Sequence, residues 1–430
     1  VTADSGAAAE TQTAKVQPVA SWASTQSAAL KQFQPTHPVA TGILIGFVGL
    51  VLTLLRRPTA VTTPGLYAED GVVFLLQSLS SGAGAIMDPY NGYIHLLPRL
   101  VAGLATLLPL SWTPVVFTLC SALIAVSACS LLLSTRFAGL IPSYAQRVLL
   151  FGLLLLIPRL TEVHLALNST LWWCGVALLL TSLAGDPTTR LGSSAELLAV
   201  PLLVLSGLAG LVLAPAMAFR VLRTRSVHSK ILLGIWYGTA LVQLCVYLTQ
   251  DRKNGSVPIG TPLIRAGFEK VFGSLLLGAG SVDNRWSQGV PALILIIVVL
   301  SASAWAVIVF TGLRWEFSAA ILYTAAASVA AGFLALGPSA AALPDRYTVL
   351  PIAAVLIGLV AARPKPKALS ILRVALLILI VVMRCTDFVV PARPDTHWSR
   401  SAACLALPAN TCVIPLNPQG WTLTLPAGMR

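Results

Sequence analysis

The sequence predicts an all-α fold, a polytopic transmembrane helical bundle of about eleven spans, with the N-terminus inside and the C-terminus outside. Three observations carry this. Hydrophobic residues make up 56% of the 430 residues, charged residues only 10%, and the mean hydropathy is +0.84. Soluble domains carry about 25% charged residues, so a soluble globular protein is excluded. Disorder is excluded over most of the length, because disordered chains are poor in apolar residues. Second, apolar runs approaching the ~20 residues that a bilayer demands recur along the chain. Third, the basic residues sit between those runs.

Residues 1–38 are rich in Ala, Ser, Thr and Gln and read as a disordered cytoplasmic lead-in. The first span covers 39–55, and with no cleavable signal peptide before it, it reads as a signal anchor. A polar stretch, 56–93, follows. The segment 94–111 is broken by Pro98, Arg99 and Pro109, and reads as a re-entrant or interfacial helix. Apolar runs then cover 113–134, 147–160 and 168–184. The run 195–223 turns at Gly207, Gly210 and Pro215 into a hairpin, 195–208 and 210–223. Further spans are 231–249, 291–312, 317–337, 346–362 and 370–390. Within a second polar loop, 250–290, Ile264, Phe268, Val271, Phe272 and Leu275 recur at helical spacing opposite Arg265, Glu269 and Lys270. That pattern predicts a helix lying on the membrane. The chain thus divides into a lead-in at 1–38, a transmembrane domain at 39–390 and an extracytoplasmic tail at 391–430.

The formal charge is +13. No Arg-rich stripe or RNA-reading motif accompanies it, so no nucleic-acid partner is expected and membrane lipids take that place. Arg220, Arg223, Arg225 and Lys230 cluster in one short connection, and Arg363, Lys365, Lys367 and Arg373 in another. Both clusters belong in the cytoplasm. With 94–111 re-entrant and 195–223 a hairpin, Arg136, Arg147 and Arg190 join them, while Glu162 and His164 fall outside. Counting each of those two segments as one span also places both clusters inside, but moves Glu162 and His164 to the cytoplasm. Arg56 and Arg57 fall outside in either arrangement and break the rule.

Cys404 and Cys412 lie eight residues apart in the polar tail. Outside the cytoplasm they would form a disulfide; a cytoplasmic tail would leave two free thiols. No metal spacing is visible among the cysteines. The phosphate-binding Gly-rich loop, HExxH and GxSxG are absent, which disfavours a nucleotide-driven pump and a zinc protease. Without visible inverted repeats a transporter is also disfavoured.

Four groups of residues can carry chemistry. Glu69 and Asp70 are adjacent carboxylates just after the first span. A carboxylate there is suited to act as general base on a hydroxyl, worth about 10²–10⁴ in rate. Asp70 also precedes an apolar run and would serve as a helix N-cap. Tyr90 and Asn91 lead into His95 and Arg99 at the membrane boundary. Arginine grips a phosphate in bidentate fashion, or it snorkels to headgroups. Glu162, His164 and Asn168 share the turn between two short helices, as functional groups or as a water-exposed loop. Asp345 and Arg346 stand at the end of a span, either as a mutual ion pair or with Arg346 on an anionic headgroup. Arg252, Lys253, Arg265, Lys270 and Arg285 make the second polar loop basic.

The arrangement resembles the GT-C superfamily of polytopic glycosyltransferases. Ala68-Glu69-Asp70-Gly71 occupies the place of that family's essential acid, early in a large first outer loop with membrane-surface helices. Tyr93-Ile94-His95-Leu96-Leu97-Pro98-Arg99-Leu100 looks like its pre-helix segment, and Pro158 through Asn168 is similar to its polar turn after the third span. Ser206 through Pro215 looks like its short hairpin, without the Lys often found there. The pattern also resembles uncharacterised actinobacterial membrane proteins that pair an Ala-Glu-Asp-Gly loop with a Gly-Tyr-(Ile/Leu)-His-Leu-Leu-Pro-Arg segment. The likeness covers 40–390.

The resemblance implies a polyprenyl-phosphate sugar donor and a glycan or lipid acceptor of the cell envelope, met on the outer face of the plasma membrane. It implies Asp70 as the base, with Glu69 a close second, attack on the anomeric carbon with inversion, and a lipid phosphate as leaving group. Arg99, Arg346 and Arg285 would meet the phosphate, and Tyr90, Asn91, His95, Glu162, His164 and Asn168 the substrates. No cofactor is expected; some relatives use a divalent metal, but no ligand set is visible here. The competing readings are a flippase for a lipid-linked saccharide and a non-catalytic scaffold for envelope assembly.

Overall fold

The computed structural model describes residues 35–250, 267–286, 291–336, 344–401, 403–404 and 411–427. The lead-in before residue 35, and Arg252, Lys253, Ile264 and Arg265, lie outside the described residues. So does the side chain of Arg285.

The chain folds as a helical bundle. Its long elements are α1 (Pro38–Leu55), α2 (Leu96–Ala105), α3 (Thr113–Ser130), α4 (Tyr144–Leu155), α5 (Thr170–Leu183), α6 (Arg190–Val204), α7 (Ala214–Thr224), α8 (Val227–Thr249), α9 (Pro291–Val309), α10 (Trp315–Leu336), α11 (Val349–Ala361) and α12 (Lys367–Thr386). The strands described are β1 (Cys412–Pro415) and β2 (Thr422–Leu425), an antiparallel hairpin in the tail.

Six segments among the described residues are long and apolar enough to cross a membrane: Pro38–Leu55, Asp70–Met87, Leu110–Leu133, Val227–Thr249, Ala292–Val309 and Lys367–Thr386. Side chains such as Ile43, Phe47, Leu241, Leu295 and Ile378 are exposed on them, as a lipid-facing surface requires. Asp70–Met87 is not one continuous helix. A π-helical turn, Asp70–Leu75, runs into Leu76–Ser81, and Gly82 then breaks the chain at φ +54° before a 3-10 stretch. Twelve helical residues reach only about 18 Å, well short of the ~30 Å hydrocarbon layer. Ten-residue α2 is shorter still. Leu104, Leu107, Leu108 and Trp112 stand exposed along and after it, the pattern of an interfacial helix.

At the centre is α11, apolar all round and buried at every residue, as a helix with no polar face must be. Gly175 of α5 permits a close approach, since a Cβ there would meet Leu350 of α11 at 3.1 Å. The turns Gly267–Gly273 and Ser274–Leu277 bury Val271, Phe272 and Leu275. The apolar stripe expected to rest on the membrane therefore packs, over its described part, into protein.

Arginines close helix ends. Arg220 donates to Thr181 O at 2.9 Å, Arg223 to Ala184 O at 2.6 Å, and Arg373 to Val360 O at 2.6 Å. These are the last carbonyls of α5 and α11, which have no partner within their own helices. Glu196 binds Arg136, Arg220 and His228 at the same end, and Arg363 reaches Leu140 O. Both predicted basic clusters thus sit at one end of the bundle. Glu162 and His164 sit at the other, with Glu69 and Asp70.

Candidate functional site

The site is built where the loop after α1 meets the turn between α4 and α5. Tyr67-Ala68-Glu69-Asp70 folds tightly: Asp70 N–H donates to Tyr67 O at 2.8 Å, and Ala68 holds φ +41°. The facing turn also carries left-handed non-glycine residues, Arg159 at φ +59° and Leu165 at φ +58°. Such conformations cost about 1–3 kcal/mol each and persist only where the surroundings impose them.

A set of arginines holds the facing turn. Arg56 donates to Leu155 O at 2.6 Å, Ile157 O at 3.2 Å and Phe388 O at 3.0 Å. Arg57 donates to Thr161 O and His164 O, both at 2.7 Å, and to Pro391 O at 2.9 Å. Both are buried. These bonds explain the two residues that break the charge rule, for each guanidinium satisfies two carbonyls at the end of α4 or in the turn after it and a third from the segment after α12. Burial first, then the neighbouring Arg393, pulls Arg57 down to about 9.

Asp70 is 2% exposed. Its Oδ2 accepts from Leu167 N–H at 3.1 Å and its Oδ1 from Asn168 N–H at 2.6 Å. Glu69 remains half-buried, and its Oε2 accepts from the Asn168 side-chain amide at 2.8 Å. Tyr90 lies near Glu69, and burial raises the pKa of its phenol. One turn therefore grips both carboxylates, which differ in access: Asp70 is sealed and Glu69 is reachable.

Tyr67 lies among charges. Burial raises its phenol, followed by Glu162; Arg393 opposes, Glu69 adds to the rise and Arg346 opposes it. Arg393 stacks on its ring at 4.2 Å. Arg346 pairs with Glu162 at 2.6 Å, with side chains 39% and 38% exposed. Asp345 does not pair with its neighbour Arg346; it binds Lys270 at 3.1 Å and Arg159 at 3.3 Å, and Arg159 also binds Asp283 at 2.6 Å.

Three predicted site residues stand apart from this opening. His164 is 2% exposed and donates Nε2–H to Thr53 O at 2.9 Å. Burial, then Arg56 and Arg57, hold its imidazole well below its ordinary value, so it is neutral. His95 is buried against Tyr93 at 4.3 Å and Phe74 at 5.4 Å, and burial pulls it down to about 3. Arg99 is 0% exposed, with its guanidinium 5.6 Å from the Phe74 ring centroid.

Sequence reasoning passed over Tyr67, Arg57, Arg393, Asn417 and Gln243. Gln243 of α8 brackets the backbone of Ile94, accepting from its N–H at 2.9 Å and donating to its O at 3.0 Å, which sets where α2 begins. The misplaced charges Arg56 and Arg57 were the one available signal. Among the described residues no group of three His, Cys, Asp or Glu side chains converges as a metal site.

No family model matches the chain, and no curated protein matches it. Among solved structures it is similar to the archaeal oligosaccharyltransferase AglB from Archaeoglobus fulgidus, in complex with an inhibitory peptide and a dolichol-phosphate, at 12% identity and a TM-score of 0.40. The match covers 85% of this chain and 58% of that one, so this chain spans less than two thirds of its length.

Proposed function

We propose that the chain is an inverting membrane glycosyltransferase of the GT-C type. It moves a sugar from a polyprenyl-phosphate donor to a glycan or lipid acceptor on the extracytoplasmic face of the plasma membrane. The observation that carries this reading is the unequal pair of adjacent carboxylates held by one turn. The sequence resemblance to the GT-C superfamily supports it independently.

The geometry favours Glu69 as the base and Asp70 as its anchor, the reverse of the order taken from the resemblance. Both Asp70 oxygens are committed to backbone N–H groups in a buried setting, whereas Glu69 is half-buried near Tyr90. Glu69 would take the acceptor's hydroxyl proton as that oxygen attacks the anomeric carbon. The bond to the lipid phosphate breaks, and the phosphate leaves with the electron pair. Arg346 stands half-exposed beside Glu162, where a phosphate oxygen can compete for its guanidinium. The gathering of these groups at one end of the bundle favours surface chemistry over transport through mid-membrane.

The test uses wild type, Glu69→Gln and Asp70→Asn in nanodiscs, with radiolabelled polyprenyl-phosphate sugars and a membrane acceptor extract. Transfer by wild type and a loss of about 10²-fold or more in Glu69→Gln are expected. Undiminished turnover by Glu69→Gln would sink the base assignment. Saturable donor binding with no turnover by wild type would overturn the enzyme reading.

A further inference from the structure

Arg393 lies in the polar segment beyond α12, far in sequence from the carboxylates. Its guanidinium donates to the backbone carbonyls of Glu162 at 3.3 Å, His164 at 3.1 Å and Leu165 at 3.5 Å. The same turn, a few residues on, supplies the two N–H groups that hold Asp70. Its charge also attracts Asp70 and the Tyr67 phenol. Arg393 thus ties the turn to the carboxylate loop.

The rest of the tail holds that loop directly. Asn417 N–H donates to Leu66 O at 3.0 Å, and Asn417 O accepts from Ala68 N–H. The Asn417 side-chain amide reaches back to Pro394 O at 3.1 Å. Leu416 packs on Gly71, where a Cβ would come within 2.7 Å of its Cδ1. The Cys404–Cys412 disulfide ties the start of β1 to the preceding segment. Trp398 donates to Ser111 O at 3.0 Å and anchors that segment on the turn before α3.

We infer that residues 391–401 and 411–427 are a working part of the site, with Arg393 as a positioning residue that sets Glu69 and Asp70 against the 162–168 turn. Three carbonyls in a fan, with a ring beneath, call for a planar fork of donors; a lysine offers a point charge without that geometry. The inference rests on the glycosyltransferase reading for what the site does. The clamp itself is measurable without turnover.

The experiment is hydrogen–deuterium exchange on the full chain in nanodiscs, reading the amides of 66–71 and 162–168. Wild type is compared with Arg393→Gln and with wild type reduced by dithiothreitol. Exchange at least tenfold faster in both segments of Arg393→Gln, with α11 unchanged, is expected. Reduction should speed 66–71. Wild-type exchange in both segments of Arg393→Gln would overturn the inference. If Arg393→Gln does not fold, Arg393→Lys replaces it, with the same expected and overturning results.

A second readout separates positioning from mere folding. Arg393→Ala should lose transfer in kcat more than in KM, and millimolar guanidinium should restore part of it, while Glu69→Gln stays inactive. Failure of rescue in a variant with wild-type exchange would count against the role. Should wild type transfer no sugar, the enzyme reading falls and the exchange arm still decides the clamp.

Discussion

Asn168 donates its backbone N–H to Asp70 Oδ1 at 2.6 Å and its side-chain amide to Glu69 Oε2 at 2.8 Å. A single residue therefore sets the spacing and direction of both carboxylates. Asn168→Ala keeps the first bond and loses the second, so transfer should fall about tenfold, in the range of one lost hydrogen bond to a charged group. Asn168→Asp sets a third carboxylate against the pair and should cost more. Steady-state kinetics of the two variants check the order; equal rates would mean that Glu69 needs no such orientation.

On the proposed reading Asp70 anchors the loop, and Asp70→Asn should reveal it through stability. The asparagine offers one acceptor oxygen where two backbone N–H groups need partners. Leaving one N–H buried and unpaired costs about 1–3 kcal/mol. The melting temperature in detergent should drop along with activity. A variant that loses activity at an unchanged melting temperature would instead point to Asp70 as the chemical base.

The Glu162–Arg346 pair is more than a third exposed on both sides, so it contributes little to folding, under about 1 kcal/mol. Arg346→Ala should leave the melting temperature nearly unchanged while raising the donor KM about tenfold, the loss expected for one charge-assisted bond. An unaltered KM would remove Arg346 from the donor site.

His164 gives the fold a pH dependence. In the folded chain it is neutral, buried beneath Arg56, Arg57 and Arg393, with its pKa well below the ordinary value. Unfolded, it takes up a proton near its ordinary pKa of about 6.5. Its contribution to stability is complete above that pH and is lost as the pH falls below it. Unfolding midpoints measured from pH 7.5 to 5 should decline, and His164→Gln should flatten the decline. An identical slope in the variant would assign the effect to other groups.

Arg57→Lys tests the carbonyl cage. Three bonds, to Thr161, His164 and Pro391, radiate from one planar group. An ammonium cannot reach all three, so the turn should loosen at a cost of about 1–3 kcal/mol for the carbonyl left unpaired. Thermal unfolding would register it, and a neutral result would show that the 155–164 turn holds itself.

The bundle was legible because burial in lipid leaves a coarse signature. Apolar runs and basic clusters located α1, α3, α8, α9 and α12, and the interruptions at Pro98 and Pro109 marked α2 as too short to span. Glu69 with Asp70, and Asn168 with Glu162, were legible as two separate groups of polar residues at element boundaries, but not as one site. The separate partners of Asp345 (Lys270 and Arg159) and of Arg346 (Glu162) were not legible, because sequence adjacency says nothing about which way two side chains point. His95, His164 and Arg99 read as ligand-facing from their chemistry, yet the chain turns them inward against Phe74, Thr53 and the bundle.

The sequence by itself determined that this chain is helical, suited to a membrane, and polar chiefly at the ends of its helices. Those properties follow from composition and period, which act locally. Only the tertiary structure decided that Asp70 is sealed while Glu69 stays reachable, that Arg56 and Arg57 are cages for carbonyls, and that Arg393 binds the 162–165 turn. Each of those depends on contacts between segments more than ninety residues apart in sequence. Such contacts follow from the cost of leaving buried backbone groups unpaired, which these side chains offset only once the whole bundle has closed.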